Sequence, residues 1–258
     1  MSAIANAFAR AREEKRAALV CYAMGGDPSL AETEKLLLAL DAAGADVLEL
    51  GVPFSDPIAD GPVLQAAALR ALKSGTTLRS LLAMAARLKG KLRAPIVLMG
   101  YANPFFRFGL EEFADEAAAS GISGAIVPDL PLEEAGPLRD ALANRGLDLV
   151  LLCAPTTGEK RMAKIAQASR GFVYAVSVTG VTGARADLPP ELAAHLAKLR
   201  ALSPVPIAVG FGIARPEQAA AMGKLADGVV VGSALVAAHH EHGVAAAAEL
   251  ISSLRAAL

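Results

Sequence analysis

The sequence of 258 residues has no tryptophan, only two cysteines and an aromatic content of 4%. Because Cys21 and Cys153 both lie inside apolar runs, a disulfide framework is implausible and the reducing cytoplasm is the expected location. Lysine and arginine number 25 against 26 aspartate and glutamate, which gives a net charge of −1. This balance provides no basic face for nucleic acid.

The chain also lacks long apolar runs. None reaches the roughly 18 residues of a membrane-spanning helix, and the N-terminal segment has no basic stretch followed by an apolar one, so no signal peptide is expected. Residues 1–20 instead predict an amphipathic helix on which Ile4, Phe8 and Ala11 share a face. With 54% hydrophobic residues, the chain is not disordered and can fill a large core without disulfides or metals.

Eight short apolar, β-rich runs recur along the chain, as expected for a parallel sheet covered on both faces. They span residues 18–24, 46–52, 95–101, 124–130, 148–155, 171–178, 206–212 and 227–235. Helical patterns alternate with them over residues 30–43, 62–74, 78–91, 110–120, 132–145, 159–169, 190–201 and 216–222, and a last helix is predicted over 244–258.

Eight strands alternating with helices in about 250 residues predict an α/β fold, a (β/α)8 TIM barrel with an extra N-terminal helix. An open doubly wound sheet also alternates, but residues 23–30 match its glycine-rich phosphate turn poorly. No linker-like stretch interrupts the pattern, so residues 1–258 are predicted to form one domain.

The active face of such a barrel lies at the C-terminal ends of the strands. In the second strand Leu48 and Leu50 suit the helix layer, which directs Glu49 into the barrel. A buried carboxyl group tuned towards neutral pH suits general acid/base catalysis. The alternative is a structural glutamate paired with a buried lysine or arginine, although the strands offer no obvious cationic partner.

The loop after this strand contains two further acidic residues. Asp60 lies just before a helix that Pro62 opens, so it could be an N-cap. Asp56, between the stiffening prolines Pro53 and Pro57, is expected to be exposed and free to meet a partner.

Residues 49–62, Glu-Leu-Gly-Val-Pro-Phe-Ser-Asp-Pro-Ile-Ala-Asp-Gly-Pro, resemble the signature of the tryptophan synthase alpha subunit family. The resemblance extends over the whole chain through residues 128–131, 181–183, 210–213 and 231–234. It implies a barrel that cleaves indole-3-glycerol phosphate to indole and glyceraldehyde 3-phosphate. By the same resemblance, Glu49 is the general acid/base that protonates C3 of the indole ring, and Asp60 accepts a hydrogen bond from the indole N–H.

The three tyrosines lie near strand ends or within strands, where an aromatic ligand would be enclosed. Each alone could be a core tyrosine with a satisfied hydroxyl group. The resemblance implies that they line the site for the indole and glycerol parts of the substrate, together with two apolar residues. The predicted set is Tyr22, Tyr101, Tyr174, Leu64 and Met99.

Glycine-rich loops after strands six, seven and eight predict a phosphate site built from backbone N–H groups. The candidates are Gly183, Gly212, Gly232 and Ser233, and Phe211 is expected to wall the substrate. By resemblance, loop 179–189 closes over the substrate and brings Thr182 to Asp60. From the residues alone, the loop could also be an exposed connector.

No metal or organic cofactor is predicted. His239, His240 and His242 cluster near a helix end that is expected to be solvated, and no ligand spacing completes a metal site. The resemblance implies a beta subunit, in an α2β2 complex, that binds pyridoxal phosphate and condenses indole with L-serine. The contacts it implies are the regions of Pro53, Asp56, Pro57 and Pro131.

Two other functions stay open from the residues alone. One is another phosphate-binding barrel enzyme, such as a sugar-phosphate isomerase or a decarboxylating synthase. Such an enzyme would usually place a lysine or a second carboxylate at a strand end. A mainly regulatory subunit of a synthase complex is the other alternative.

Overall fold

The computed structural model describes residues 1–176, 190–210 and 212–258. Its strands are parallel, each pairs with the next, and the last pairs with the first. The predicted eight-stranded α/β barrel is therefore confirmed. The strands are β1 (Ala18–Met24), β2 (Val47–Gly51), β3 (Ile96–Met99), β4 (Ile122–Ile126), β5 (Asp148–Cys153), β6 (Val173–Val176), β7 (Ile207–Gly210) and β8 (Gly228–Val231).

The helices of the described residues lie outside the barrel, except for the first. They are α1 (Ala3–Glu13), α2 (Leu30–Ala42), α3 (Pro62–Lys73), α4 (Leu78–Leu88), α5 (Ala102–Phe108), α6 (Leu110–Ala119), α7 (Gly136–Ala143), α8 (Glu159–Ala168), α9 (Pro190–Leu202), α10 (Pro216–Gly223) and α11 (Ser233–Ala257). Gly243 breaks α11 with a φ of 81°, so the predicted helix over 244–258 is only its second half.

Several boundaries differ from the predictions. Residues 233–235, predicted as the end of the eighth strand, begin α11, and the helix predicted over 132–145 is shorter, at Gly136–Ala143. The fourth strand begins and ends earlier than expected, at Ile122 and Ile126, and residues 127–130 already belong to the following loop. Helix α5 was not predicted, because it is only one to two turns long and contains Pro104. Its first N–H groups are satisfied from elsewhere in the chain, since the Asp129 carboxylate accepts a hydrogen bond from Ala102 N at 2.9 Å.

Side chains alternate between the barrel interior and the helix layer, as the strand pattern predicts. Val20, Val47 and Val97 pack with interior residues of the other strands, whereas Leu48 and Leu50 pack against the helices. Full burial of one such side chain contributes about 1.5–3 kcal/mol to the stability of the fold. Because Leu48 and Leu50 face the helices, the alternate residues of β2, including Glu49, face the barrel interior.

Helix α1 closes the N-terminal end of the barrel. Ser2 caps it by accepting a hydrogen bond from Ala5 N at 3.2 Å, and the buried residues of the helix include the predicted Ile4, Phe8 and Ala11. The Phe8 ring packs on Phe172 of the barrel interior, with 5.3 Å between ring centroids. The open end of the barrel is therefore the C-terminal end of the strands.

Cys21 and Cys153 are buried free thiols. Across the described ranges, no helix is both long and apolar enough to cross a membrane.

Candidate active site

Glu49 occupies the middle of β2, paired in register with Tyr22 on β1 and Val97 on β3. Its side chain is fully buried, and neither carboxyl oxygen has a hydrogen-bond partner among the described residues. No lysine or arginine of the described chain pairs with it, so a buried ion pair does not explain its presence there.

Burial, with a smaller contribution from the negative charge of Asp60, raises the pKa of Glu49 to about 8. An ionised carboxylate without a partner is costly in an apolar interior, so the group retains its proton at neutral pH. A protonated carboxyl group that loses its proton near neutral pH is suited to general acid catalysis.

Asp60 lies in the loop between β2 and α3 and is half-buried. It does not cap the helix, since the N-cap of α3 is Gly61 and no side chain bonds the first N–H groups there. Burial raises the pKa of Asp60 to about 6, and the Tyr101 hydroxyl group acts in the opposite direction. Asp60 is therefore mostly ionised at neutral pH while Glu49 is mostly protonated, and such a separation assigns different roles to two carboxyl groups.

Tyr101 follows β3 and holds the loop that carries Asp60. Its hydroxyl oxygen accepts a hydrogen bond from Ala59 N at 2.9 Å, and its ring stacks on Phe54 with 5.3 Å between centroids. Burial and the charge of Asp60 raise the pKa of Tyr101 to about 12, so the phenol stays neutral. The backbone next to Asp60 is thus fixed to a neighbouring βα unit.

Tyr22 and Tyr174 each lie across a glycine on the neighbouring strand. A Cβ atom built on Gly51 would lie 2.3 Å from the Tyr22 hydroxyl oxygen, and one on Gly210 would lie 2.9 Å from that of Tyr174. Burial raises the pKa of both tyrosines well above the usual value, with Asp60 and Glu49 adding to the effect. The two glycines therefore make the space in which the phenol rings lie.

A cavity of about 540 Å³ opens at this end of the barrel. Asp60, Leu64, Met99 and Tyr174 line it together with apolar residues of β5 and of the loop after β4. Its volume falls in the range of roughly 300–1,000 Å³ typical of small-molecule sites. Most of the described lining is apolar, with Asp60 as its only carboxylate and Thr157 and Arg161 as further polar residues. Such a lining fits a flat ring that carries one hydrogen-bond donor.

Three of the predicted phosphate-binding residues, Gly212, Gly232 and Ser233, lie just after β7 or β8. Gly232 is the N-cap of α11, and Ser233 is its first residue, so the N–H groups of the first turn are directed towards the open end of the barrel. Gly212 has a φ of 61°, and a Cβ atom built on it would meet no neighbour. Helix N-termini of this kind attract anions.

Three predicted residues, Thr182, Gly183 and Phe211, and the loop 179–189 lie outside the described residues. Their roles stay predictions.

One prediction about the histidines is wrong. His239 is buried, at 8% exposure, because α11 continues to Gly243 and His239 lies one turn after the buried Val236. Burial lowers the pKa of His239, which keeps the ring neutral. His240 and His242 are exposed as expected. Within the described residues, no three histidine, cysteine or acidic side chains come together as a metal site.

The predicted partner loop is exposed only in part. Pro53 is buried and cannot itself contact a partner, Pro57 is half-buried, and Asp56 and Pro131 are exposed. The Asp56 carboxylate accepts a hydrogen bond from the Ser55 hydroxyl group at 2.5 Å. Ile58 in the same loop is 86% exposed, an apolar surface residue that the sequence patterns did not single out.

Known proteins resemble this chain over its whole length. The family model described as "Tryptophan synthase alpha chain" matches residues 8–256. A protein of that name from Citrifermentans bemidjiense is 52% identical over 236 residues, 92% of this chain and 88% of the relative. The one from Synechococcus elongatus is 49% identical over 100% of this chain and 97% of the relative.

Solved structures of tryptophan synthase also resemble this chain. The crystal structure of the tryptophan synthase alpha chain from Legionella pneumophila has a TM-score of 0.91 at 38% identity, covering 100% of this chain and 97% of that one. A structure of Mycobacterium tuberculosis tryptophan synthase has a TM-score of 0.93 at 38% identity, covering 99% and 98%.

Proposed function

The chain belongs to the tryptophan synthase alpha chain family, and we propose that Glu49 and Asp60 carry the chemistry of its reaction. As a member of this family it is an enzyme subunit of tryptophan biosynthesis, which cleaves indole-3-glycerol phosphate to indole and glyceraldehyde 3-phosphate. The observation that most supports the assignment is the fully buried, unpaired carboxyl group of Glu49 beside the cavity that Asp60 lines.

In this proposal Glu49 donates its proton to C3 of the indole ring. The bond between C3 and the glycerol chain then breaks, and its electron pair returns to the ring to restore aromaticity. A pKa of about 8 supports the role, since the carboxyl group still carries its proton at neutral pH. The ionised Glu49 then takes up the proton of the hydroxyl group on the departing carbon, whose oxygen becomes the carbonyl oxygen of glyceraldehyde 3-phosphate.

Asp60 accepts a hydrogen bond from the indole N–H in the same step. Protonation at C3 places positive charge on the ring, so a carboxylate at the nitrogen stabilises the transition state more than the ground state. With its pKa near 6, Asp60 is ionised when this charge develops.

Substrate binding is divided between an apolar and an anionic part. Tyr22, Leu64, Met99, Tyr101 and Tyr174 enclose the indole and glycerol portions. Backbone N–H groups around Gly212, Gly232 and Ser233 hold the phosphate, with Gly183 as a further contact. Phe211 walls the site, and loop 179–189 closes over it through Thr182 and Asp60.

The proposed partner is a beta subunit, in an α2β2 complex, to which indole passes directly. Asp56, Pro57 and Pro131, with the exposed Ile58, supply the contact surface. Pyridoxal phosphate belongs to the beta subunit, and this chain needs no cofactor of its own for the cleavage. We further propose that residues 1–258 form one domain and that the protein works in the cytoplasm.

The assay is turnover of indole-3-glycerol phosphate, followed by the appearance of indole. Glu49→Gln should lower kcat by about 10²–10⁴-fold, because it keeps the shape but cannot donate the proton. Asp60→Asn should also lower kcat strongly, while affinity for glycerol 3-phosphate stays within twofold in both variants. Near-normal turnover by Glu49→Gln would show that another group is the acid. No indole from the wild-type chain would favour a different phosphate-binding barrel enzyme.

The partner surface has a separate test. Asp56→Ala should weaken activation by the beta subunit while the intrinsic cleavage rate stays unchanged, because Asp56 is exposed and outside the cavity. Glu13→Ala, an exposed acidic residue at the other end of the barrel, is the matched control. Equal loss of activation and intrinsic cleavage in Asp56→Ala would argue against this surface.

A further inference from the structure

A second, larger cleft of about 810 Å³ lies at the N-terminal end of the barrel, opposite the active site. It is bordered by α1 and its following turn, by the loop between α9 and β7, and by the loop between α10 and β8. Ala5, Ala9, Val205 and Pro206 supply apolar surface inside it. The residues of this cleft take no part in the proposed cleavage.

The charged side chains of the cleft are mostly basic. They are Arg12, Lys15, Arg16, Arg200 and Lys224, against the single acidic side chain of Asp227. Two of the five basic side chains already have acidic partners, since Arg16 pairs with Asp46 and Arg200 with Asp227. Arg12, Lys15 and Lys224 form no ion pair with any described residue. Such a surplus of one charge sign attracts an oppositely charged ligand.

The conformation of Lys15 is a second, independent observation. Lys15 has a φ of 58° and is the only described residue other than glycine with a positive φ. It ends α1 in the position where glycine is usual, with Lys15 N bonded to Arg12 O at 2.9 Å and Arg16 N to Ala11 O at 3.1 Å. Six of the other helices are followed by a glycine with positive φ, at Gly44, Gly75, Gly90, Gly109, Gly121 and Gly146.

A lysine in this conformation destabilises the fold relative to glycine. It persists at the edge of a cleft that already contains unpaired cations, and unfavourable backbone conformations are concentrated at sites with a binding role. We propose that this cleft binds a small organic anion. The anionic group, a phosphate or carboxylate, is held by Arg12, Lys15 and Lys224, and the apolar body lies on the surface of α1 and the α9–β7 loop.

Phenyl phosphate is the probe, titrated into the ¹⁵N-labelled full chain and followed by amide chemical shifts. The amides of Gly171 and Gly223, which line the cleft, should shift in a saturable manner. Gly232, at the opposite end of the barrel, reports binding at the active site separately. Benzyl alcohol and inorganic phosphate should each shift Gly171 and Gly223 with at least tenfold lower affinity, because each supplies only half of the interaction.

The variant Lys15→Gly distinguishes a role in binding from a role in folding, because it should change affinity and stability in opposite directions. It removes one cation and the unfavourable φ, so affinity for phenyl phosphate at the cleft should fall about tenfold while the Tm rises by about 2–4 °C. Lys15→Arg should retain binding. Lys91→Ala, at an exposed lysine outside the cleft, should change neither quantity.

Three results would overturn the proposal. They are shifts confined to Gly232, equal affinity of the cleft for phenyl phosphate and inorganic phosphate, and unchanged affinity in Lys15→Gly.

Discussion

Buried carboxyl groups next to the strands at the N-terminal end of the barrel differ from Glu49, inside its C-terminal half, in how they are hydrogen-bonded. At the N-terminal end, Asp46 accepts hydrogen bonds from Leu19 N at 2.8 Å and from the Arg16 guanidinium. Asp41 accepts one from Ala94 N at 2.8 Å, and Asp227 one from Ile207 N at 2.9 Å. At the C-terminal end, the oxygens of the fully buried Glu49 have no partner among the described residues.

The difference shows that the fold accepts the energetic cost of burying a carboxyl group without hydrogen-bond partners at Glu49. Carboxylates that accept hydrogen bonds from backbone N–H groups next to the strands connect the loops to the barrel. A carboxyl group without partners contributes nothing to stability and is kept neutral by burial. The N-terminal end is therefore built for stability, and the C-terminal end for proton transfer.

The strongest test of this contrast is the pH dependence of stability. The pKa of Glu49 is about 8 in the folded chain against 4.5 ordinarily. Between these values the unfolded chain loses the proton while the folded chain retains it, so the free energy of unfolding falls by about 1.4 kcal/mol per pH unit. Below about pH 4.5 Glu49 does not lower the free energy of unfolding, and above about pH 8 the full decrease is present.

Glu49→Gln removes this titration. Urea unfolding should show the variant gaining stability over the wild type as pH rises from about 4.5 to about 8, by a total on the order of 5 kcal/mol. Glu217→Gln, at an exposed glutamate, should run parallel to the wild type. Parallel curves for Glu49→Gln would mean that Glu49 is ionised in the folded chain.

The next test removes a satisfied carboxylate. The Asp46 and Arg16 side chains are each only 8% exposed, so Asp46→Ala leaves a buried guanidinium and Leu19 N without their main acceptor. We expect a loss of about 3 kcal/mol in the free energy of unfolding, since breaking a buried pair is costly. Chemical denaturation measures it.

Asp140→Ala is the control for that experiment. Asp140 pairs with Arg139 at 3.0 Å, but the two side chains are 67% and 40% exposed, so its loss should cost under about 0.5 kcal/mol. Similar losses in both variants would remove the distinction between the two kinds of carboxylate.

The smallest expected effect concerns the support of Asp60. Tyr101→Phe removes the acceptor for Ala59 N and the hydroxyl group that lowers the pKa of Asp60. We expect kcat to fall about tenfold and the acidic limb of the pH–rate profile to move above its position near pH 6. Tyr174→Phe should leave that limb in place, and an unmoved limb in Tyr101→Phe would show that Tyr101 only packs.

Local alternation was enough to predict much of the molecule. The leucines flanking Glu49 indicate which face of β2 meets the helices, and this determines where Glu49 points without any knowledge of other strands. The strand count predicted the closed barrel, because apolar runs of this length and spacing have few other ways to bury both faces.

What could not be predicted depends on contacts between distant residues. The bond from Ala59 N to Tyr101 spans 42 residues, and the cap of α5 comes from Asp129. His239 was expected in solvent because its helix was predicted to end there, whereas the break is at Gly243 and the preceding turns stay packed. The pKa separation of Glu49 and Asp60 likewise arises from burial, which a sequence pattern does not measure.

The pairing of β1 with β8 has a consequence for how the protein forms. Val20 and Val230 are neighbours in the sheet although nearly the whole chain separates them, so the edge of β1 stays open until the last strand has been synthesised. Gly232 reaches Tyr22 only then, with 3.9 Å between the Tyr22 Cβ atom and a Cβ built on the glycine. Such long-range closure is slow, and an open edge invites pairing with other chains. The proposed phosphate-binding residues around Gly232 therefore reach their place in the same step that pairs the open edge of β1.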